Sequence, residues 1–133
     1  MKVEALTAED ELELAAQLAL VRQWCGLPPD GALTASALDD LSEALGLQLE
    51  DHELEAAVAP FAAALGELVA RPTGLAWRRV TEERGPARAL YGEVGEVVID
   101  PANHVRRAWS RGERRFVARL LPVLVANVRA MRG

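Results

Sequence analysis

The sequence predicts an α+β fold: N-terminal helices, a three-stranded antiparallel meander, then C-terminal helices packed on the sheet. Three observations predict it. Residues 1–71 are acidic with apolar residues at helical spacing, residues 75–100 hold short runs rich in Val, Ile, Trp and Tyr, and residues 101–133 are Arg-rich and helical in pattern. A chain of 133 residues has room for one hydrophobic core, so we expect a single domain.

Two helices are predicted in the first 46 residues. The Thr7 hydroxyl can cap a helix over residues 8–25, which Gly26 and the proline-containing stretch 27–31 then end. Thr34 or Ser36 can cap a shorter helix that ends at Gly46.

A third helix is predicted to start at Asp51, as its cap, and to continue through an apolar series towards Leu68. Pro60 interrupts this series, because proline lacks the backbone N–H that an interior helical position donates. Either the helix kinks at Pro60, or a new helix starts with Pro60 as its first residue.

Strands are predicted over residues 75–83, 89–94 and 96–100, with turns at Arg84-Gly85-Pro86 and at Gly95. Asp100 can then cap a helix whose first residue is Pro101 and which Gly112 breaks. The last helical segment carries apolar residues from Phe116 to Met131, and Pro122 kinks or divides it.

The two halves of the chain carry opposite charge. Residues 1–67 have 14 acidic and 2 basic residues, a charge of −12, and residues 68–133 have 6 acidic and 13 basic, a charge of +7, which together give the net −5. Two explanations fit: a basic surface for an anionic partner, or an acidic half folded against a basic half. We favour pairing within the molecule, since guanidinium groups suit carboxylates as well as phosphates.

The composition and the motifs also exclude several classes of protein and of site. No run of about 18 apolar residues is present and the N-terminus is acidic, so we expect a cytoplasmic protein with no membrane association. Cys25 is the only cysteine, which fits a reducing compartment. No phosphate-binding glycine loop, calcium loop or histidine-based metal motif occurs, so we expect no cofactor and no metal.

Candidates for chemistry are few. His52 lies among first-turn acids, and we interpret these as solvated groups. His104 is a candidate general base if Glu67 or Asp100 comes within hydrogen-bond reach of it. Cys25 falls on the apolar side of the first helix, where a core position is favoured over a nucleophile.

Three candidate binding features remain. Glu67 follows Gly66 on an alanine-lined helical face, which suggests a buried ion pair with an arginine. Trp77 precedes Arg78 and Arg79 and is either a core residue or part of an exposed cationic patch. The third is a basic stretch interleaved with Trp109 and Phe116, whose members are Arg106, Arg107, Arg111, Arg114, Arg115 and Arg119.

Short motifs carry a family resemblance. They are Gly66-Glu67-Leu68, Gly74-Leu75-Ala76-Trp77, Ala89-Leu90, and Val97-Val98-Ile99-Asp100-Pro101 with Val105 and Arg107. Over roughly residues 60–121 the sequence resembles an uncharacterised bacterial domain family with a Gly-Glu helix, a Trp-bearing strand and a strand that ends at Asp-Pro. The resemblance implies an α+β domain of unknown function and does not point to any particular activity.

We therefore expect a small non-catalytic protein-binding module of the adaptor, inhibitor or immunity type. Its partner is another protein or a second copy, with homodimerisation through the C-terminal helix as one form. Nucleic-acid binding by the Arg-rich half is the alternative, and a small enzyme with a site near His104 is a second alternative.

Overall fold

The computed structural model describes residues 1–133 and confirms the α+β class. The helices are α1 to α5, with bounds Ala8–Trp24, Ala35–Gln48, Asp51–Thr73, Pro101–Ser110 and Val117–Met131. The strands are β1 to β4, with bounds Lys2–Glu4, Ala76–Glu82, Gly85–Gly92 and Val97–Ile99. None of the helices combines the length and apolar content that crossing a membrane requires.

The sheet has four strands, where the sequence predicts three. Its order is β1-β2-β3-β4 and every neighbouring pair is antiparallel. The additional strand, β1, pairs Val3 with Val80. With three residues, β1 is too short to show an alternating pattern, and its strand identity comes from this pairing with a distant segment.

The second strand of the predicted meander also differs. Strand β3 begins at Gly85, which pairs with Glu82, so the turn is shorter than predicted and Pro86 lies within the strand. Gly85 has a φ of 100°, a conformation that glycine adopts without strain. A tight turn therefore replaces the longer one.

Two helix boundaries differ from the predicted ones. Helix α2 continues beyond Gly46 to Gln48, and Glu50 rather than Asp51 precedes α3 as its cap. Helix α3 is continuous through Pro60, which is buried. Burial of Val58 and Phe61 on either side of Pro60 holds the helix together despite the missing backbone hydrogen bond. Pro122 likewise lies inside α5.

The core has two parts, and α3 contributes to both. The larger part packs α1, α2, α4 and the start of α5 around Phe61 of α3. In the smaller part, Leu90 on the inner face of the sheet and Leu75, just before β2, pack on Val69 of α3 and on Leu124 and Val128 of α5. Helix α5 thus contributes to both parts of the core and joins the helical layer to the sheet.

Candidate functional site

A buried carboxylate positions the start of α5. Asp39 of α2 is 4% exposed, and its two oxygens accept hydrogen bonds from the backbone N–H groups of Val117, at 2.7 Å, and Ala118, at 3.1 Å. A carboxylate at a helix N-terminus satisfies unpaired donors and interacts favourably with the helix dipole. Asp39 therefore caps α5 from a helix 78 positions away in the sequence.

Helix α4 is positioned by its tryptophan. The Trp109 indole N–H donates to the Ser42 hydroxyl at 2.9 Å, and both residues are buried. The Trp109 ring also packs on Phe61 with ring centroids 5.1 Å apart. One buried side chain thus fixes α4 against both α2 and α3.

Three arginines of the basic stretch contact residues of the N-terminal half; we call Arg106, Arg114 and Arg115 the structural arginines. Arg115 forms an ion pair with Asp40 at 2.7 Å, and Arg106 one with Glu55 at 3.2 Å. The hydrogen bond to Asp40 raises the pKa of Arg115. Arg114 is half-buried over Gly46 and donates to the Trp109 carbonyl at 3.2 Å. These side chains link the C-terminal region to the N-terminal half.

Two further ion pairs connect the sheet to α1. Arg79 lies 3.6 Å from Asp10, and Arg88 lies 3.2 Å from Glu13. A backbone hydrogen bond from Thr7 is the main cause that lowers the pKa of Asp10, and the two arginines lower it further. Carboxylates of the acidic half thus neutralise part of the basic half inside the molecule.

The other side of the basic stretch opens on a groove of about 390 Å³ between α4 and α5. Its apolar floor includes Phe116, Leu120 and Val123. Its basic rim consists of His104, Arg107, Arg111 and Arg119, with Glu113 as the only acidic lining residue. We call Arg107, Arg111 and Arg119 the groove arginines and the whole feature the α4–α5 groove.

The groove arginines have no carboxylate partner from the N-terminal half. Arg107 forms no ion pair, whereas Arg119 and Arg111 share Glu113, at 2.7 Å and 4.0 Å. All three arginines are exposed. Positive charge in this groove is therefore only partly neutralised.

His104 lies on the groove rim and is half-buried. Burial is the main cause that lowers its pKa; Arg107 lowers it further, and Asp100 acts in the opposite direction. Asp100 uses one carboxylate oxygen to accept from the Ala102 N–H at 3.1 Å. Neither Asp100 nor Glu67 hydrogen-bonds to His104, so the carboxylate contact that the enzyme hypothesis requires is not formed.

The structure places Glu67 and Trp77 together. Glu67 is half-buried, and its partner is the Trp77 indole N–H at 3.4 Å rather than an arginine. The Trp77 ring lies directly on Gly66, where a Cβ atom would overlap it. Trp77 is half-buried beside the smaller part of the core, so it fastens β2 to α3 instead of forming an exposed cationic patch.

The two remaining candidates are Cys25 and His52. Cys25 is half-buried beside the core, and burial raises the pKa of its thiol. His52 is exposed, close to Glu50 and Glu53, and these two glutamates form a reciprocal cap at the start of α3. Exposed acids at a helix start are favoured by the helix dipole alone.

Sequence reasoning missed Asp39 as a functional or structural candidate. The signal that could have found it is indirect: Arg114-Arg115-Phe116 offers no local capping side chain for α5, so a distant one is needed. Val123 was also missed as a groove residue, because its exposure depends on how α4 and α5 pack.

A family described as a domain of unknown function (DUF3806) matches residues 39–120, more than half of the chain. The chain belongs to this family. The match confirms the resemblance to a family of unknown function and extends it towards the N-terminus, where it begins at Asp39. No curated protein and no solved structure matches the chain.

Proposed function

We propose that the protein is a non-catalytic protein-binding module whose α4–α5 groove binds an acidic, amphipathic helix. The observation that carries the proposal is the combination of an apolar floor with a rim of three arginines and a histidine. An amphipathic helix binds by laying its apolar face into such a groove, and acidic residues beside that face would meet the rim.

The floor supports an apolar contact. Val123 is 52% exposed although it lies next to the buried Leu124, so covering it removes apolar surface from water. Leu120 is half-buried in the same groove. A partner without apolar side chains would leave this surface exposed.

The rim supports an acidic partner. The structural arginines have partners within the chain, and Arg107 has none. Glu113 partly neutralises Arg111 and Arg119, and a partner carboxylate can add to or replace this contact.

The edges of the sheet offer little support for binding by strand addition. Strand addition would need a free edge of several residues, but both edge strands, β1 and β4, have only three residues.

A reducing, cytoplasmic setting stays a prediction that rests on the single cysteine.

Nucleic-acid binding is the alternative that the groove arginines also favour, because guanidinium groups bind phosphates. Nucleic-acid binding predicts two results that binding of an acidic helix does not. Phosphate contacts would make affinity fall steeply and linearly with the logarithm of salt concentration, and the apolar floor would contribute little.

Fluorescence anisotropy with defined probes tests the proposal. The first is a synthetic helix of about 18 residues with leucines on one face and glutamates flanking that face on both sides; the second has lysines in place of the glutamates, and the third is labelled duplex DNA. We expect the glutamate helix to bind at least about tenfold more tightly than the lysine helix. Tighter binding of DNA would favour the alternative, and no binding of the glutamate helix would overturn the proposal.

Variants locate the site. Arg107→Glu with Arg111→Glu should weaken binding of the glutamate helix about tenfold or more, since both charges are reversed. Val123→Ser should weaken the same binding but leave any DNA binding unchanged. Arg129→Glu is the matched control, because Arg129 is an exposed arginine of α5 outside the groove. Circular dichroism and melting curves establish that each variant is folded.

A further inference from the structure

The outward side of α1 is apolar and uncovered. Leu12 is 73% exposed and Leu20 is 36% exposed, and Ala16 and Ala19 are exposed on the same side of the helix. The inward side packs on the core through Leu18 and Val21. Helix α1 is therefore apolar on two sides, although one side is enough to hold it in the fold.

Acidic residues flank this outward side. Glu9 and Glu11 are exposed and form no ion pair, whereas Glu13 is paired with Arg88. An apolar helical stripe bordered by unpaired carboxylates has the chemistry that the α4–α5 groove is proposed to accept. The two surfaces are complementary in charge and in apolar content.

The dimensions of the two surfaces agree. At about 1.5 Å per helical residue, Leu12 and Leu20 are about 12 Å apart along α1, and the groove follows α5 from Phe116 to Asn127 over about 16 Å. The inward side of α1 is packed against its own α3. A copy of α1 that enters the groove would therefore come from a second molecule.

We propose that the outward side of α1 of one chain binds in the α4–α5 groove of a second copy. The inference rests on the proposed function, because it names the partner of that groove. Two reciprocal contacts of this kind close a symmetric dimer, and a single contact that repeats gives an open chain of molecules. Because the rim and the flanking acids are solvent-accessible, the association should weaken as salt rises.

Sedimentation velocity with a pair of charge-reversed chains tests the inference. In one chain Glu9→Arg and Glu11→Arg make α1 basic, and in the other Arg107→Glu and Arg111→Glu make the groove acidic. Wild type should self-associate at concentrations up to about 1 mM, and each variant alone should associate at least about tenfold more weakly. An equimolar mixture should regain association as a mixed species, since each basic element then meets an acidic one. Arg129→Glu should associate like wild type.

Specific outcomes overturn the inference. The inference is wrong if the wild type stays monomeric up to about 1 mM. It is also wrong if the groove variant associates as strongly as wild type, because that result would indicate pairing of α1 with α1. An equimolar mixture of the two variants that stays monomeric would overturn the inference as well. Failure here is separable from failure of the proposed function, because the glutamate helix probe is measured on the same samples. If the probe binds and the chain remains monomeric, the groove binds an acidic helix from another protein.

Discussion

The two sides of the basic stretch in the C-terminal region have different surroundings. On the side facing α2 and α3, the structural arginines bind carboxylates and a backbone carbonyl of the same chain. On the groove side, Arg107 forms no ion pair and its two neighbours share one glutamate. The difference teaches that adjacent arginines in one sequence run can hold the fold together or stay exposed without a partner from the N-terminal half, depending on whether they face α2 and α3 or the groove.

The largest expected effect comes from removing the distant cap of α5, on the structural side. Asp39→Ala leaves two backbone N–H groups without acceptors, one of them buried, which costs about 1–3 kcal/mol of the free energy of unfolding. Thermal and urea unfolding measure it. Asp40→Ala is the control: its carboxylate is exposed and pairs only with Arg115, so its effect should be clearly smaller. Equal effects of the two substitutions would contradict the capping role.

Charge reversal on the two sides should separate stability from binding. Arg114→Glu with Arg115→Glu should lower the Tm, because it places negative charge beside Asp40 and removes a half-buried side chain from Gly46. Arg107→Glu with Arg111→Glu should change stability by no more than about 0.5 kcal/mol, since both side chains are exposed. Only the groove pair should weaken binding of the glutamate helix. If Arg107→Glu with Arg111→Glu unfolded the protein, Arg107 and Arg111 would have a structural role like that of the structural arginines.

The sequence predicts those parts of the fold that depend on local pattern. Apolar spacing and capping residues such as Thr7, Thr34 and Asp100 place the starts of three helices where the structure has them. The third helix shows a limit of such local patterns: Pro60 leaves open whether the helix kinks or a new helix starts there, and α3 continues through it because its neighbours are buried. Strand β1 shows a second limit, because these residues form a strand only through pairing with Thr81 and Val80, nearly 80 positions away.

The candidate site was predictable in composition but not in arrangement. The Arg-rich stretch and its interleaved aromatics are visible in the sequence. Which arginines pair depends on where α2 and α3 present Asp40 and Glu55, and no local spacing encodes this. The same holds for Glu67, whose nearest donor is an indole of the following strand.

Trp77 extends the comparison to the sheet, where we expect a structural role like that of the structural arginines. Trp77→Phe removes both the indole N–H and the outer ring atoms that lie on Gly66, which should cost about 1–2 kcal/mol and leave groove binding unchanged. Glu67→Gln retains an acceptor and should cost less. If Trp77→Phe weakened binding of the glutamate helix without a change in stability, Trp77 would belong to a binding surface.

The smallest expected effect is the pH response of His104, and here stability and binding should move in opposite directions. The folded state lowers the pKa of His104 from 6.5, so the unfolded state takes up a proton at a higher pH than the folded state does. His104 therefore lowers stability as pH falls below about 6.5, until the folded-state histidine is itself protonated, and has no such effect at higher pH.

Protonation of His104 in the folded state would add a cation to a rim that already carries three arginines, with Asp100 and Glu113 as the nearby acids. Affinity for the glutamate helix should thus rise by roughly twofold to threefold as the folded-state histidine becomes protonated, at the lower end of the pH range in which stability falls. His104→Gln should abolish both trends, whereas His52→Gln, at an exposed position outside the groove, should abolish neither. Binding that stays constant while stability changes would show that His104 does not face the bound helix.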